Sequence, residues 1–309
     1  MEDKIYDVVI IGAGPAGLTA GIYGARAGLD IVIIEKFAPG GQVVNSYEIE
    51  NYPGFTEPIA GWDLMAKMEE QTRRLGVPIE SGEVTSMEKI NDLFHVNTID
   101  KKYFSRAAII ASGAQNRKLK VAGEEEFLGR GVSYCATCDG AFYKDKVTVV
   151  VGGGDVALEE AFFLTKFASK VYIIHRRDKF RGTDILQKRV FGSDKISILY
   201  NSVVKEICGK EKVASVRIEN IATGQESVIP TDGLFIFVGY DPVNSFVPPQ
   251  LLNKNGEIKV NMDMQTEIPG LFAAGDVRSN SRRQIVMAAA DGATALLAAH
   301  EYINNIACK

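Results

Sequence analysis

The chain has 309 residues, with 35 Lys and Arg against 39 Asp and Glu, a formal charge of −4. That length points to two domains, and 46% hydrophobic with 24% charged residues describes a protein with a buried core, which excludes a disordered or collagen-like chain. The lack of a basic excess argues against nucleic-acid binding, and no apolar run reaches the ~18 residues of a membrane span.

The first residues enter a strand pattern directly, without a basic stretch, an apolar segment and a cleavage site, so a cytoplasmic location is expected. Residues 7–36 read as strand, Gly-rich turn, amphipathic helix and strand, and residues 147–176 align on them without a gap. Gly12 falls on Gly152, Gly14 on Gly154 and Gly17 on Ala157. Each copy is a βαβ unit of the kind that seats a dinucleotide pyrophosphate at a helix N-terminus. A loop over 36–60, rich in Gly, Pro and Asn, follows the first copy. Leu64, Met65, Met68 and Leu75 then recur at helical spacing, which predicts a helix over Trp62–Leu75. Short alternating strands are expected near 77–104, and an apolar strand over 107–110.

After the second copy come a helix near 183–191 and short strands at 196–200, 203–208, 213–219, 226–230 and 233–238. A Pro-rich connector over 240–250 leads to a buried strand, Leu271–Ala274, and an Ala-rich helix from about Gln284 to Asn304. That late strand has no nucleotide unit of its own and most simply completes the first sheet. The expected organisation is therefore an insertion: residues 113–240 within a host of 1–112 and 241–309, with crossings near Ser112–Asn116 and Gly239–Asn244.

The ends of the second strands differ. The first ends in Glu35, whose carboxylate suits ribose hydroxyls and repels a 2′-phosphate. The second has His175 there, followed by Arg176, Arg177 and Arg181, guanidiniums that can grip a 2′-phosphate. One site should take an unphosphorylated adenosine and the other NADPH.

Cys135 and Cys138 form a C-x-x-C pair just before the second copy. Zinc would need four ligands; Cys208 and Cys308 are single, and the only histidines are His95, His175 and His300. A dithiol/disulfide pair is the better reading, and no metal is expected. Asp139 follows directly, a carboxyl able to carry a proton for a thiolate and equally placed as a helix N-cap or first-turn acid, which is compatible with that role. Cys208 lies in an apolar strand and is expected to be buried, and His95 and His300 are expected to be structural.

Together GAGPAG (12–17), GGQ (40–42), ENYPG (50–54), the C-x-x-C segment, GGGDVA (152–157), HRRDKFR (175–181) and GLFAAGD (270–276) resemble the bacterial and archaeal low-molecular-weight thioredoxin reductases, class II pyridine nucleotide-disulfide oxidoreductases. The resemblance covers nearly the whole chain. It implies an α/β protein of two Rossmann-like three-layer domains, with an NADPH domain inserted into an FAD domain. It further implies a homodimer that passes electrons from NADPH to FAD, then to Cys135–Cys138, then to thioredoxin or a thioredoxin-like protein. A related flavoprotein acting on a glutaredoxin-like or peroxiredoxin-linked partner is the alternative.

By the same resemblance, Gly12, Gly14, Pro15, Ala16 and Gly17 hold the FAD pyrophosphate, and Glu35 with Lys36 the adenosine ribose. Gly41, Gln42, Asn51, Val84 and Ala111 lie along the FAD. Gly275, Asp276, Arg283, Gln284 and Ile285 lie toward its ribityl and flavin end. Gly152, Gly154, Asp155, Val156 and Ala157, with His175, Arg176, Arg177 and Arg181, hold NADPH. Cys138 faces the flavin, Cys135 is the outward nucleophile and Asp139 the acid/base. The chain departs from the family at Val156, where Ser or Thr is frequent, at Ala141, where many members carry an aromatic, and at Met287 and Ala290, which stand for Thr and Gly.

Overall fold

Val8, Val9, Ile10 and Ile11 are consecutive and all buried, the mark of a parallel strand covered on both faces. In the computed structural model they belong to β1 (Ile5–Ile11), from which α1 (Pro15–Arg26) and β2 (Ile31–Glu35) follow. The structure describes residues 4–46 and 49–307; the side chains of Asn45, Thr137, Cys138 and Ala307 lie outside that description, as does Cys308. The chain divides into two units, Met1–Gln115 with Asp241–Lys309, and Asn116–Tyr240.

The first unit continues with α2 (Gly61–Arg74), β3 (Ile79–Ser81), β4 (Val84–Ile90), β5 (Leu93–Thr98), β6 (Lys102–Ile110) and β7 (Ala114–Asn116). Its sheet runs β3-β2-β1-β6, all parallel, and β5 and β4 add antiparallel. Alternate residues of β1 face opposite cores. Val8 and Ile10 pack with Leu18 and Leu64, and Val9 and Ile11 pack with Phe94, Val96 and Ile258.

The second unit contains β8 (Val132–Ser133), α3 (Ala136–Asp139), β9 (Val147–Gly152), α4 (Asp155–Leu164), β10 (Lys170–Ile174), α5 (Asp184–Phe191), β11 (Ile196–Leu199), β12 (Ser202–Gly209), β13 (Val213–Asn220), β14 (Glu226–Pro230) and β15 (Gly233–Phe237). Five parallel strands run β11-β10-β9-β15-β8. One face carries α4 and α5 through Leu158, Leu164 and Val190, and the other an antiparallel sheet β12-β13-β14 through Ile207, Val216 and Ile229.

The chain returns to the first unit through β16 (Tyr240–Pro242), which pairs with β7. At the base of the second unit the Arg117 N–H donates to the Gly239 carbonyl at 2.8 Å, so its entrance and exit are neighbours. Then β17 (Leu271–Ala273) pairs with the end of β6, as expected of a strand that completes the first sheet, and α6 (Ile285–Ala307) follows. A Cβ on Gly292 of α6 would lie 2.0 Å from the Ala16 carbonyl oxygen, so only glycine lets α6 pack this close to α1.

The architecture is the expected α/β pair of parallel sheets, one unit inserted in the other. Two details differ. The apolar run at 107–110 is the buried end of one nine-residue strand, β6, because residues 102–105 already pair with β5. The loop after β2 contains a 3₁₀ turn, Gly41–Asn45. Among the described residues, no helix is long and apolar enough to cross a membrane.

Candidate active site

In the first unit the glycines do different work. A Cβ on Gly17 would lie 1.8 Å from the Gly12 carbonyl oxygen, and one on Gly12, whose φ is +106°, 2.3 Å from the Ala111 oxygen. These two close the turn against β1 and β6. At Gly14, by contrast, a Cβ would meet nothing within 4 Å. Gly14 is the N-cap of α1 with no side-chain cap; Pro15 opens the helix and no acid stands in its first turn. This is a cradle with open space over a helix N-terminus, and it fits a pyrophosphate. Glu35 closes it, accepting from the Ala13 N–H at 2.6 Å and the Phe37 N–H at 3.0 Å. Each carboxylate oxygen keeps a lone pair for a ribose hydroxyl. Lys36 is held by Glu83 at 2.7 Å, and the Val84 side chain is buried in the core. Gly41, at φ +60°, lies over Gly14, and Gln42 follows in the same 3₁₀ turn.

Across the same unit, the Asn51 amide donates to Gln284 Oε1 at 3.0 Å, beside Ile285 at the start of α6. Gly275 and Asp276 follow β17. Burial raises the Asp276 carboxyl above the usual range, against the Ser281 hydroxyl bond and the charge of Arg283. Arg283 adopts φ +53° and contacts Glu257 at 3.4 Å. The sequence reading missed the pair beneath this turn. Arg278 makes two 2.7 Å bonds to buried Asp291 of α6, and Asp291 Oδ2 also accepts the Gly275 N–H at 3.1 Å. An acid flanked by Ala and Gly on the apolar half of an Ala-rich helix was the available signal.

The second unit repeats the turn. Gly152 would bring a Cβ within 2.5 Å of Ala157 Cβ, Gly154 faces open space, and Asp155 accepts the Thr183 N–H at 2.6 Å. Val156 is exposed at the second position of α4. Arg176, Arg177 and Arg181 are exposed and make no ion pair among the described residues. His175 differs from the basic run that follows it. It is 5% exposed, its ring sits where a Cβ on Gly153 would be, 2.3 Å from Nδ1, and Nε2 contacts the Lys179 carbonyl at 3.0 Å. Burial lowers its pKa, so the imidazole is a neutral prop under the turn. It is no further cation for a phosphate.

Cys135 is disulfide-bonded. It precedes α3, and its carbonyl accepts the Asp139 N–H at 3.2 Å. Asp139 stands in the single turn of α3 and at the N-cap position of the 3₁₀ turn after it, where its half-buried carboxyl makes no side-chain cap bond. Phe142, just beyond, is 72% exposed. Cys208 is partly exposed on β12, because neighbouring strand residues face opposite ways and Ile207 is the one turned into the core; the expectation of burial is corrected. His95 stacks edge-on with Phe104 at 4.8 Å, a structural role. No group of acids, His and Cys among the described residues could hold a metal.

The family described as pyridine nucleotide-disulphide oxidoreductase matches residues 6–292. The chain belongs to this family. A thioredoxin reductase of Listeria innocua is 48% identical over 99% of this chain and 96% of its own length. That of Bacillus subtilis is 48% identical over 99% and 97%. The crystal structure of the Lactococcus lactis thioredoxin reductase superposes with a TM-score of 0.94 at 46% identity, covering 97% of this chain and 99% of that one. In this oxidoreductase both dinucleotide turns and the disulfide of Cys135 therefore sit on a family framework matched almost end to end.

Proposed function

We propose that this chain is a flavoprotein that uses NADPH to reduce the disulfide of thioredoxin or a thioredoxin-like protein. The observation that carries the reading is the disulfide of Cys135 in the same unit as a dinucleotide turn flanked by three exposed arginines. Near-full-length identity to thioredoxin reductases supports the choice of substrate.

The first unit is the FAD domain and the second the NADPH domain. Bound FAD supplies a two-electron relay between the nicotinamide and the disulfide. The chain's own residues do the rest. The N-terminus of α1 and its glycines receive the FAD pyrophosphate, and Glu35 takes the adenosine ribose. The N-terminus of α4 receives the NADPH pyrophosphate, and Arg176, Arg177 and Arg181 bind the 2′-phosphate. Cys138 is the partner of Cys135. Reduction of that disulfide takes two electrons and two protons and leaves two thiols. The Cys135 thiolate then attacks the substrate disulfide and expels one substrate thiolate. Cys138 attacks Cys135 in the mixed disulfide and expels the other while the enzyme disulfide re-forms. The two protons of the dithiol pass to the two substrate thiols, Asp139 carrying one of them. Exposed Phe142 supports a protein substrate docking close by. The active form is a cytoplasmic homodimer.

The test is a visible spectrum followed by turnover. The purified protein should be yellow and bleach with NADPH, and it should then reduce a thioredoxin. Cys135→Ser and Cys138→Ser should each still bleach and each lose turnover. Turnover retained in either single variant refutes the dithiol route.

A further inference from the structure

The redox cysteine hangs from an unusual anchor in the second unit. Glu124 lies within an E-E-E run that reads as solvated surface, yet it is 2% exposed. Its Oε1 accepts the Leu119 N–H at 2.8 Å and the Tyr134 hydroxyl at 2.6 Å, and its Oε2 accepts the Lys120 N–H at 2.6 Å. Lys120 is at φ +62°, a left-handed backbone for a residue other than glycine, and the carboxylate holds it there. The carboxylate therefore ties three places: the strained turn at 119–120, its own loop, and the residue directly before Cys135. That loop is fixed in turn to β12, whose Ile207 N–H donates to the Ala122 carbonyl at 2.9 Å.

A second clamp acts on Cys135 itself. Buried Ser133, in β8 opposite Phe235 of β15, accepts the Cys135 N–H at 3.0 Å and donates to the Cys135 carbonyl at 3.1 Å. Residues 133–135 are thus held on one side by the sheet and on the other by Glu124 through Tyr134. None of these groups reaches a cofactor turn, and the reaction described above does not use them.

We propose that Glu124, acting through Tyr134, is a positioning residue for Cys135 that sets the balance between its disulfide and dithiol forms. The proposal deepens the disulfide-reductase reading and rests on it for its consequence in turnover. The physical reason is an entropy difference. A closed disulfide restrains the 135–138 backbone and, through Cys135, its neighbour Tyr134, so the anchor changes its freedom little. In the dithiol that covalent restraint is gone, and residue 134 is held by the Ser133 clamp on one side and by the Glu124 anchor on the other. Removing the anchor therefore releases more freedom in the dithiol and favours it. An intact anchor makes the dithiol less comfortable and a stronger reductant.

The test uses the holoenzyme and two conservative variants, Tyr134→Phe and Glu124→Gln. Each is equilibrated in dithiothreitol redox buffers, quenched, alkylated, and the Cys135 thiol fraction read by mass spectrometry. Tyr134→Phe should shift the equilibrium toward the dithiol by about threefold, on the order of 15 mV for a two-electron couple. Bleaching of the flavin by NADPH should be unchanged. The double variant should shift no further than the larger single one, because both break the same link. A shift below about 1.5-fold in Tyr134→Phe, or a shift toward the disulfide, overturns the proposal. Tyr134→Phe removes one oxygen and keeps the ring, so it carries the test by itself if Glu124→Gln does not fold. Because the measurement needs no thioredoxin, failure of the wild type to reduce thioredoxin would refute the substrate reading and leave this equilibrium as a separate result.

Discussion

Arg176 and Arg177 are two exposed guanidiniums with no ion-pair partner among the described residues, at the edge of a turn built for a dinucleotide. Charge-assisted contacts of roughly 1.5–3 kcal/mol each imply that Arg176→Ala with Arg177→Ala raises KM for NADPH by about one to several powers of ten, with KM for NADH little changed. Steady-state kinetics with both coenzymes checks this, and an unchanged NADPH/NADH ratio removes these arginines from phosphate recognition. Arg278 and Asp291 show the opposite electrostatic regime, since both are buried and joined by two short bonds. Asp291→Asn strands a buried guanidinium, and such losses cost about 3–5 kcal/mol. Denaturant unfolding should register a loss of that order. Flavin should also dissociate more readily, because the same carboxylate holds the Gly275 N–H beside Asp276. A variant of wild-type stability would mean that the pair contributes no more than a hydrophobic isostere would.

At the scale of elements, α1 meets β1 through a contact that leaves no room for a methyl group, so Gly17→Ala must push the helix away from the Gly12 carbonyl. A cost of about 1–3 kcal/mol is expected, with weaker flavin retention, measurable by thermal unfolding and by the absorbance that survives dialysis. The loop after β10 is held differently, by a neutral imidazole. Burial keeps the His175 pKa below its ordinary 6.5, so the unfolded chain takes up a proton before the fold does. The fold therefore loses stability as pH falls from about 6.5 through the folded value, and nothing is lost above it. His175→Asn should destabilise most at pH 7.5, and the gap to wild type should narrow by pH 5.5. A gap that stays constant would mean the ring ionises freely. The βαβ repeats, α2 and the antiparallel β12–β14 patch were legible in the sequence because periodicity and turn residues act locally. The full length of β6 was not, because its first half is defined by pairing with β5 and carries Lys102, Ser105 and Arg106 among apolar residues. His175 read as one more basic residue for a related reason: burial is a tertiary fact, and nothing in H-R-R says which ring turns inward. Glu124 was hidden by its two acidic neighbours. The cysteine pair and the arginines were plain because their chemistry is written in residue type and spacing alone.

At the scale of the molecule, the second unit has its own two-sided parallel sheet, and its ends are joined by the Arg117–Gly239 bond. Residues 116–240 expressed alone should fold cooperatively and bind NADPH, with circular dichroism and calorimetry as the measurements. An unfolded spectrum would show that this unit depends on its host. The host is in the reverse position. Its central strands β1 and β6 come before the insert, but β17 and α6 come after it, and Ala16 of α1 waits for Gly292 of α6. On a ribosome moving at about 5–20 residues per second, the apolar face of α1 therefore emerges roughly fifteen to fifty-five seconds before its cover. The inserted unit can be finished in that interval, whereas the host remains an open half-core. Nascent-chain chaperones and aggregation should accordingly act on the flanking segments of this protein far more than on its middle.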